Sequence, residues 1–351
     1  MIAVNGTPSA AEGTRSQMAP GRILVGVDFR QPSLAAASWA AAHFGECTIE
    51  LAHVLPIPEV PAFLRPVMPA LDDRLGRAAA AASPLPALRG FAGTLRAKDL
   101  SVQVRVGSPV DSLAEAAATF GAELVVLGRK AVDGSRGRTL ERVIRRLAVP
   151  ALVVDGRVRE SPRRILAAVD DAAVGRDVVG WAAALAGHFG AELTLLHALS
   201  DSLLAHQWLW EEGARESGSV SLGTSSRWVA PTHAWLRRLS DDVGQSPESR
   251  TIVAVGAPGP VILERARVSR ADLIVMGRNG SHAMRAADMG SATRLTLRAA
   301  PVPVLVVPGT DTLGRRPGET GVDRDLKRQC STQPRLAFGL QNRVRFTHVK
   351  E

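Results

Sequence analysis

Short apolar runs alternate with longer alanine-rich stretches along most of this chain, and the alternation is clearest in its second half. Residues 165–170 form an unbroken apolar run that ends in the carboxylate Asp170. Such a run predicts a strand buried on both faces, as in a parallel sheet. Residues 178–189 are rich in alanine and stop at Gly190, which predicts a helix. The pattern continues with strands at 192–198, 251–255, 273–276 and 304–307, and helices at 261–268 and from 291 to 297. Alternating β and α elements with two-sided apolar strands predict an open parallel sheet covered by helices. A ligand crevice is then expected at the carboxyl ends of the strands. Asp170, Ala198, Gly256 and Gly277 all fall at such ends.

The same pattern occurs twice. Arg22-Ile23-Leu24-Val25-Gly26-Val27-Asp28 returns as Arg164-Ile165-Leu166-Ala167-Ala168-Val169-Asp170. Trp39, His43, Phe44, Gly45 and His53 return as Trp181, His188, Phe189, Gly190 and His197. Val106-Gly107-Ser108-Pro109 pairs with Val255-Gly256-Ala257-Pro258, and Val149-Pro150 with Val302-Pro303. Polar and glycine landmarks recur in order, which chance similarity of alanine-rich helices would not produce. Each repeat is far longer than a solenoid unit and therefore reads as a domain. The expected division is a flexible N-terminus at 1–20, domains at 21–156 and 163–308, and a basic tail at 309–351.

One loop in the second repeat carries candidate chemistry. Gly277-Arg278-Asn279-Gly280 follows the strand at 273–276, and Gly290-Ser291 opens a helix. Glycines at a strand end let backbone N–H groups approach an anion, and a helix N-terminus adds unpaired donors and partial positive charge. Ser291 can cap the helix or bond a phosphate oxygen. A bare glycine loop would be a weak signal; this one sits inside a matched domain.

Composition narrows the picture further. The 351 residues contain no tyrosine and 4% aromatics, so the cores must be built from Ala, Val and Leu. Cys47 and Cys330 are too few for a disulfide framework and read as thiols of a reducing cytoplasm. No Cys/His cluster has metal-ligand spacing, no signal peptide is evident, and no apolar run reaches the ~18 residues of a membrane span. The net charge is +9, and the tail accounts for +4 of it, from nine Lys/Arg against five Asp/Glu. No basic stripe is interleaved with aromatics, so nucleic acid is not the expected partner. The tail also holds Pro317, Pro334 and several glycines and is expected to be disordered.

These landmarks together resemble a tandem-domain universal stress protein. Each half opens on an Ile-Leu-x-x-Val-Asp strand and closes on Val-Pro-x-Leu-Val-Val, and the second carries G-x2-G-x9-G-S at Gly277, Gly280, Gly290 and Ser291. The resemblance implies an α/β fold of two doubly wound domains, each a five-stranded parallel sheet in the order 3-2-1-4-5 flanked by helices. It implies that the two last strands, 151–154 and 304–307, meet across a pseudo-two-fold interface. It also implies ATP, with or without Mg2+, in the second domain. Ala168, Val169 and Asp170 would then border the ribose or adenine edge, with Ala198 beside adenine. Met276 and Gly277 would lie under the nucleotide. Gly280, Gly290 and Ser291 would face phosphates, with Ala292 and Thr293 close by; Arg278 reads equally as a phosphate contact or as a solvated arginine.

The first half departs from the motif. Ala131 replaces the second glycine, Arg138 replaces the serine, and the loop from Gly128 to Gly137 is shorter. Weak or no nucleotide binding is expected there, although Asp28, Lys130 and Arg136 remain. The leading reading is a cytoplasmic, ATP-binding stress-response protein that acts through conformation or contacts with a regulatory partner, and it allows a homo-oligomer. The runner-up is an ATP-using hydrolase or transferase on the same scaffold. Nothing supplies dedicated hydrolytic chemistry, so at most slow ATP hydrolysis is expected. The strand-end histidines His53 and His197 read as structural. The connection at 200–231, with Trp208, Trp210 and Trp228, reads equally as a lid or a surface loop.

Overall fold

The computed structural model describes residues 20–56, 83–129, 137–156, 160–170, 174–199, 224–242, 249–280 and 288–309. The tail at 310–351, the N-terminal 1–19 and the connection at 200–223 lie outside the described residues. The first repeat runs β1 (Arg22–Gly26), α1 (Gln31–His43), β2 (Thr48–Leu55), α2 (Leu85–Ala92), β3 (Asp99–Val106), α3 (Pro109–Phe120), β4 (Leu124–Arg129), α4 (Gly137–Arg146) and β5 (Ala151–Asp155). The second runs β6 (Arg164–Ala168), α5 (Val174–Phe189), β7 (Glu192–Leu199), α6 (Thr224–Asp242), β8 (Arg250–Val255), α7 (Pro258–Val268), β9 (Leu273–Gly277), α8 (Ser291–Ala299) and β10 (Val304–Val307).

Ten strands form one sheet in the order β3-β2-β1-β4-β5-β10-β9-β6-β7-β8. Each half therefore has the expected 3-2-1-4-5 order. All pairs within a half are parallel, and the halves join through antiparallel β5 and β10, with Leu152 opposite Leu305. Successive residues of a central strand enter opposite cores. Leu273 and Val275 pack with α1 and α5 on one side, while Ile274 and Met276 pack with α3, α4, α7 and α8 on the other. This two-sided burial explains the unbroken apolar runs.

Small residues set how closely the helices approach the sheet. Ala36, Ala37, Ala40 and Ala41 of α1 are buried against it. A Cβ at Gly128 would stand 2.3 Å from the Pro32 carbonyl oxygen, so the start of α1 lies directly on the end of β4. Gly190 ends α5 at φ +61°, a left-handed conformation that glycine adopts without steric cost. Two helices start earlier than their apolar pattern predicts: α5 at Val174 and α7 at Pro258. Proline is tolerated in a first turn, where its missing N–H has no intrahelical partner to lose. The expected connection through residue 231 is also shorter, because α6 begins at Thr224 and carries Pro231 inside it at the loss of one backbone bond.

The halves also meet through the carboxyl ends of α1 and α5. His188 Nε2 donates to the His43 carbonyl at 2.8 Å, and its ring stacks on Phe44 at 4.9 Å. Trp39 and Phe189 complete this aromatic cluster. The repeated His-Phe-Gly landmark is thus a junction between repeats.

Candidate nucleotide site

The strand ends of the second repeat are tied together by backbone and histidine. Val169 N–H donates to the Leu196 carbonyl at 2.8 Å, and His197 Nδ1 donates to the Val169 carbonyl at 2.8 Å. The first repeat copies both bonds: Val27 to Ala52, and His53 Nδ1 to Val27 at 2.7 Å. Both histidines therefore hold the residue just before the strand-end aspartate, as the structural reading expects. Ala168 pairs with Met276 on one side and Leu196 on the other, and Ala198 follows His197 on β7. Trp235 of α6 stands edge-on to His197 at 5.4 Å. Sequence reasoning missed Trp235, whose only signal was a tryptophan just past the long connection.

Asp170, Gly280 and Gly290 converge. A Cβ at Gly280 would lie 2.4 Å from Asp170 Oδ2, so the carboxylate rests directly on the glycine. A Cβ at Gly290 would meet Asn279 Cα at 3.5 Å and Gly280 N at 3.6 Å. Gly277 packs under Val174, whose Cγ1 would be 2.9 Å from an added Cβ. The glycine at 280 does not sit at positive φ. Its need is for close approach, a space that any side chain would fill. Met276 is 4% exposed and packs within the core.

Ser291 is the first residue of α8, and Gly290 occupies the N-cap position with no side-chain cap. The serine is exposed and does not cap its helix, which leaves its hydroxyl at the open N-terminal end. Ala292 follows it half-buried. Thr293 differs from expectation: it is 3% exposed, and its hydroxyl donates to the Gly277 carbonyl at 2.8 Å. That hydroxyl braces the loop and does not point at a ligand.

Arg278 is a clear correction. The sequence reads it as a phosphate contact or a solvated arginine, but its side chain is 1% exposed and lies in the junction between repeats. Its Nη1 donates to the carbonyls of Leu147 at 3.1 Å and Arg145 at 3.2 Å, at the carboxyl end of α4. Carbonyls at a helix end lack intrahelical donors and carry partial negative charge, so they draw a cation. Burial, with Arg145 nearby, pushes the Arg278 pKa below the usual arginine range. Its counterpart Arg129 reaches the other way, donating to the Leu297 and Ala300 carbonyls at the carboxyl end of α8 and pairing with Asp155 at 3.6 Å.

The strand end of the first repeat is arranged differently. Asp28 accepts from the Arg30 N–H at 3.0 Å and pairs with its guanidinium at 3.7 Å, with both side chains exposed. Lys130, Ala131 and Arg136 lie outside the described residues. Two grooves, of 510 and 860 Å³, run along α1 and beside the aromatic junction; neither is lined by Asp170, Gly280 or Gly290. Among the described residues no group of three His, Cys, Asp or Glu is placed to hold a metal, and no helix is long and apolar enough to cross a membrane.

The chain is a duplicated, doubly wound α/β protein, and comparison with known proteins gives the family. The model of the universal stress protein family matches residues 20–155 and again 162–308, and the chain belongs to that family. Curated proteins provide no sequence match. Among solved structures, a universal stress protein from Archaeoglobus fulgidus DSM 4304 is 16% identical, with a TM-score of 0.57 over 84% of this chain and 98% of that one. A functionally unknown protein from Pseudomonas aeruginosa PAO1 is also 16% identical, with a TM-score of 0.52 over 84% and 95%. Both are similar to this chain in fold across both repeats.

Proposed function

We propose that this chain is an ATP-binding stress-response protein of the cytoplasm, with one nucleotide site, in its second repeat. The observation that carries the reading is the convergence of Asp170, Gly280 and Gly290 beside the open N-terminus of α8. The cradle fits the group: a Cβ at Gly280 would fill the space where the loop backbone meets the carboxylate. Asp170 accepts hydrogen bonds from sugar hydroxyls, a role suited to an acceptor-only carboxylate. The backbone N–H groups of Gly280, Ser291 and Ala292 and the Ser291 hydroxyl donate to phosphate oxygens. Function then follows from the liganded shape and from contacts with a regulatory partner.

The test is to denature freshly purified protein and identify any released nucleotide. Release of close to one adenine nucleotide per chain, reduced in Gly280→Val, supports the reading. Protein that carries no nucleotide and takes up none at millimolar ATP would make it a nucleotide-free scaffold.

A further inference from the structure

The second-repeat loop is tied both within its own repeat and to the first repeat. Arg278 N–H donates to the Val307 carbonyl at 2.7 Å, and its own carbonyl accepts from Gly290 N–H at 2.9 Å. The backbone of one residue thus links the end of β10 to the start of α8. Its side chain meanwhile is buried on the α4 carbonyls of Arg145 and Leu147. Two further residues of α4 reach the same element. Arg145 pairs with Asp288, two residues before Gly290, at 3.8 Å. Glu141 pairs with Arg298 at 2.7 Å and with Arg294 at 3.6 Å, both on α8. At the far end of α8, Arg129 holds the Leu297 and Ala300 carbonyls. The first repeat therefore grips both the loop that precedes Ser291 and the helix that Ser291 begins.

We propose that α4 of the first repeat is a cross-domain splint for the second-repeat nucleotide site, with Arg278 and Arg129 as its positioning residues. One repeat supplies the ligand contacts, and the site needs both. The reading rests on the proposed ATP site for its ligand, but its mechanics do not depend on which anion binds. The physical basis is preorganisation. A loop held in its binding shape before the ligand arrives does not have to be ordered by it. A guanidinium fork that meets several carbonyls fixes direction as well as distance, which an ammonium does not. The arrangement also couples the two events: a ligand that orders Gly290 and Ser291 tightens the junction, and loosening the junction weakens the ligand by the same factor.

The experiment uses the full chain and two readouts, ATP affinity by calorimetry and amide exchange of α8 and the residues around Gly290. Arg129→Lys lies outside the crevice and in the other repeat. It is expected to weaken ATP by about tenfold and to speed exchange in the first turn of α8. Arg278→Lys is expected to do the same. Leu88→Ala, a buried position in α2, is the control: it lowers thermal stability and leaves ATP affinity within about twofold. Arginine variants that fold and bind ATP like the parent, with unchanged exchange in α8, overturn the proposal. If neither arginine variant folds, Glu141→Gln decides: faster exchange at the start of α8 supports the splint, and an unchanged rate overturns it. If the parent itself binds no ATP, the ATP reading falls, and the exchange measurements alone decide for or against the splint.

Discussion

Replacing Gly280 with alanine tests the crevice at its tightest point. The added Cβ would stand 2.4 Å from Asp170 Oδ2, whereas ordinary contact begins at 3.4 Å. The overlap of about 1 Å cannot persist, so either the carboxylate or the loop must move. In the free protein Asp170 can turn aside, and Gly280 has no positive φ that alanine would strain. The variant therefore folds. In the proposed complex Asp170 would be engaged at the sugar and the loop at the phosphates, so neither could yield. Forcing a methyl into a packed site costs about 1–3 kcal/mol. That corresponds to roughly 5- to 150-fold weaker ATP binding. Gly280→Val should cost more, because its branched Cβ adds a second group at the same point. Calorimetry of parent, alanine and valine variants gives the affinities, and thermal unfolding without ATP checks that each folds. The alanine effect should shrink in an Asp170→Ala background, where the clash partner is gone. An affinity for ATP in Gly280→Ala that matches the parent would falsify the placement of Gly280 in the site.

Three further expectations can be checked directly. On the proposed binding mode the crevice offers backbone donors and a hydroxyl, and its carboxylate would be committed to the sugar, so ATP should stay largely intact for many minutes, far below the ~1–100 s⁻¹ of kinases; rapid phosphate release in a single-turnover assay, lost in Ser291→Ala, would promote the hydrolase alternative. His197→Phe keeps a ring but strands the Val169 carbonyl, which should cost about 1–2 kcal/mol in urea unfolding; an unchanged midpoint would mean that the tie contributes nothing. Burial, with Glu123 and Glu46 adding to it, pushes the Cys47 thiol above its usual pKa. Its thiolate fraction at pH 8 is then smaller than that of a free cysteine and recovers only as pH rises through the shifted value. Alkylation of the Cys47 peptide, followed by mass spectrometry, should lag glutathione at pH 8; equal or faster reaction would contradict the burial argument.

The fold was legible because its signals are local and repeated. The runs at 165–170 and 273–276 are apolar on both faces, and Asp170, Gly190 and Pro303 punctuate them. Matching Ile23–Asp28 to its copy fixes each strand's place twice over, and the β5–β10 join is the one that the family resemblance implied. The glycine spacing of the loop stood out because it sits inside a repeated domain. The fate of Arg278 was not legible, because its partners are main-chain carbonyls of α4. Carbonyls at a helix end carry no residue signature, and the arginine's burial depends on the other repeat. The bond from the Thr293 hydroxyl to the Gly277 carbonyl was likewise not legible, because its acceptor is main chain. At Gly280 the close neighbour is the Asp170 carboxylate, a long-range contact that the local sequence does not show.

A calorimetric titration of the full chain with ATP tests the central claim most directly. The intact loop around Gly280 and Gly290, set against Asp28 turned toward Arg30 in the first repeat, predicts a single site per chain that is lost in Gly280→Val and retained in Asp28→Ala. Two comparable sites, or binding that survives Gly280→Val and disappears in Asp28→Ala, would contradict it.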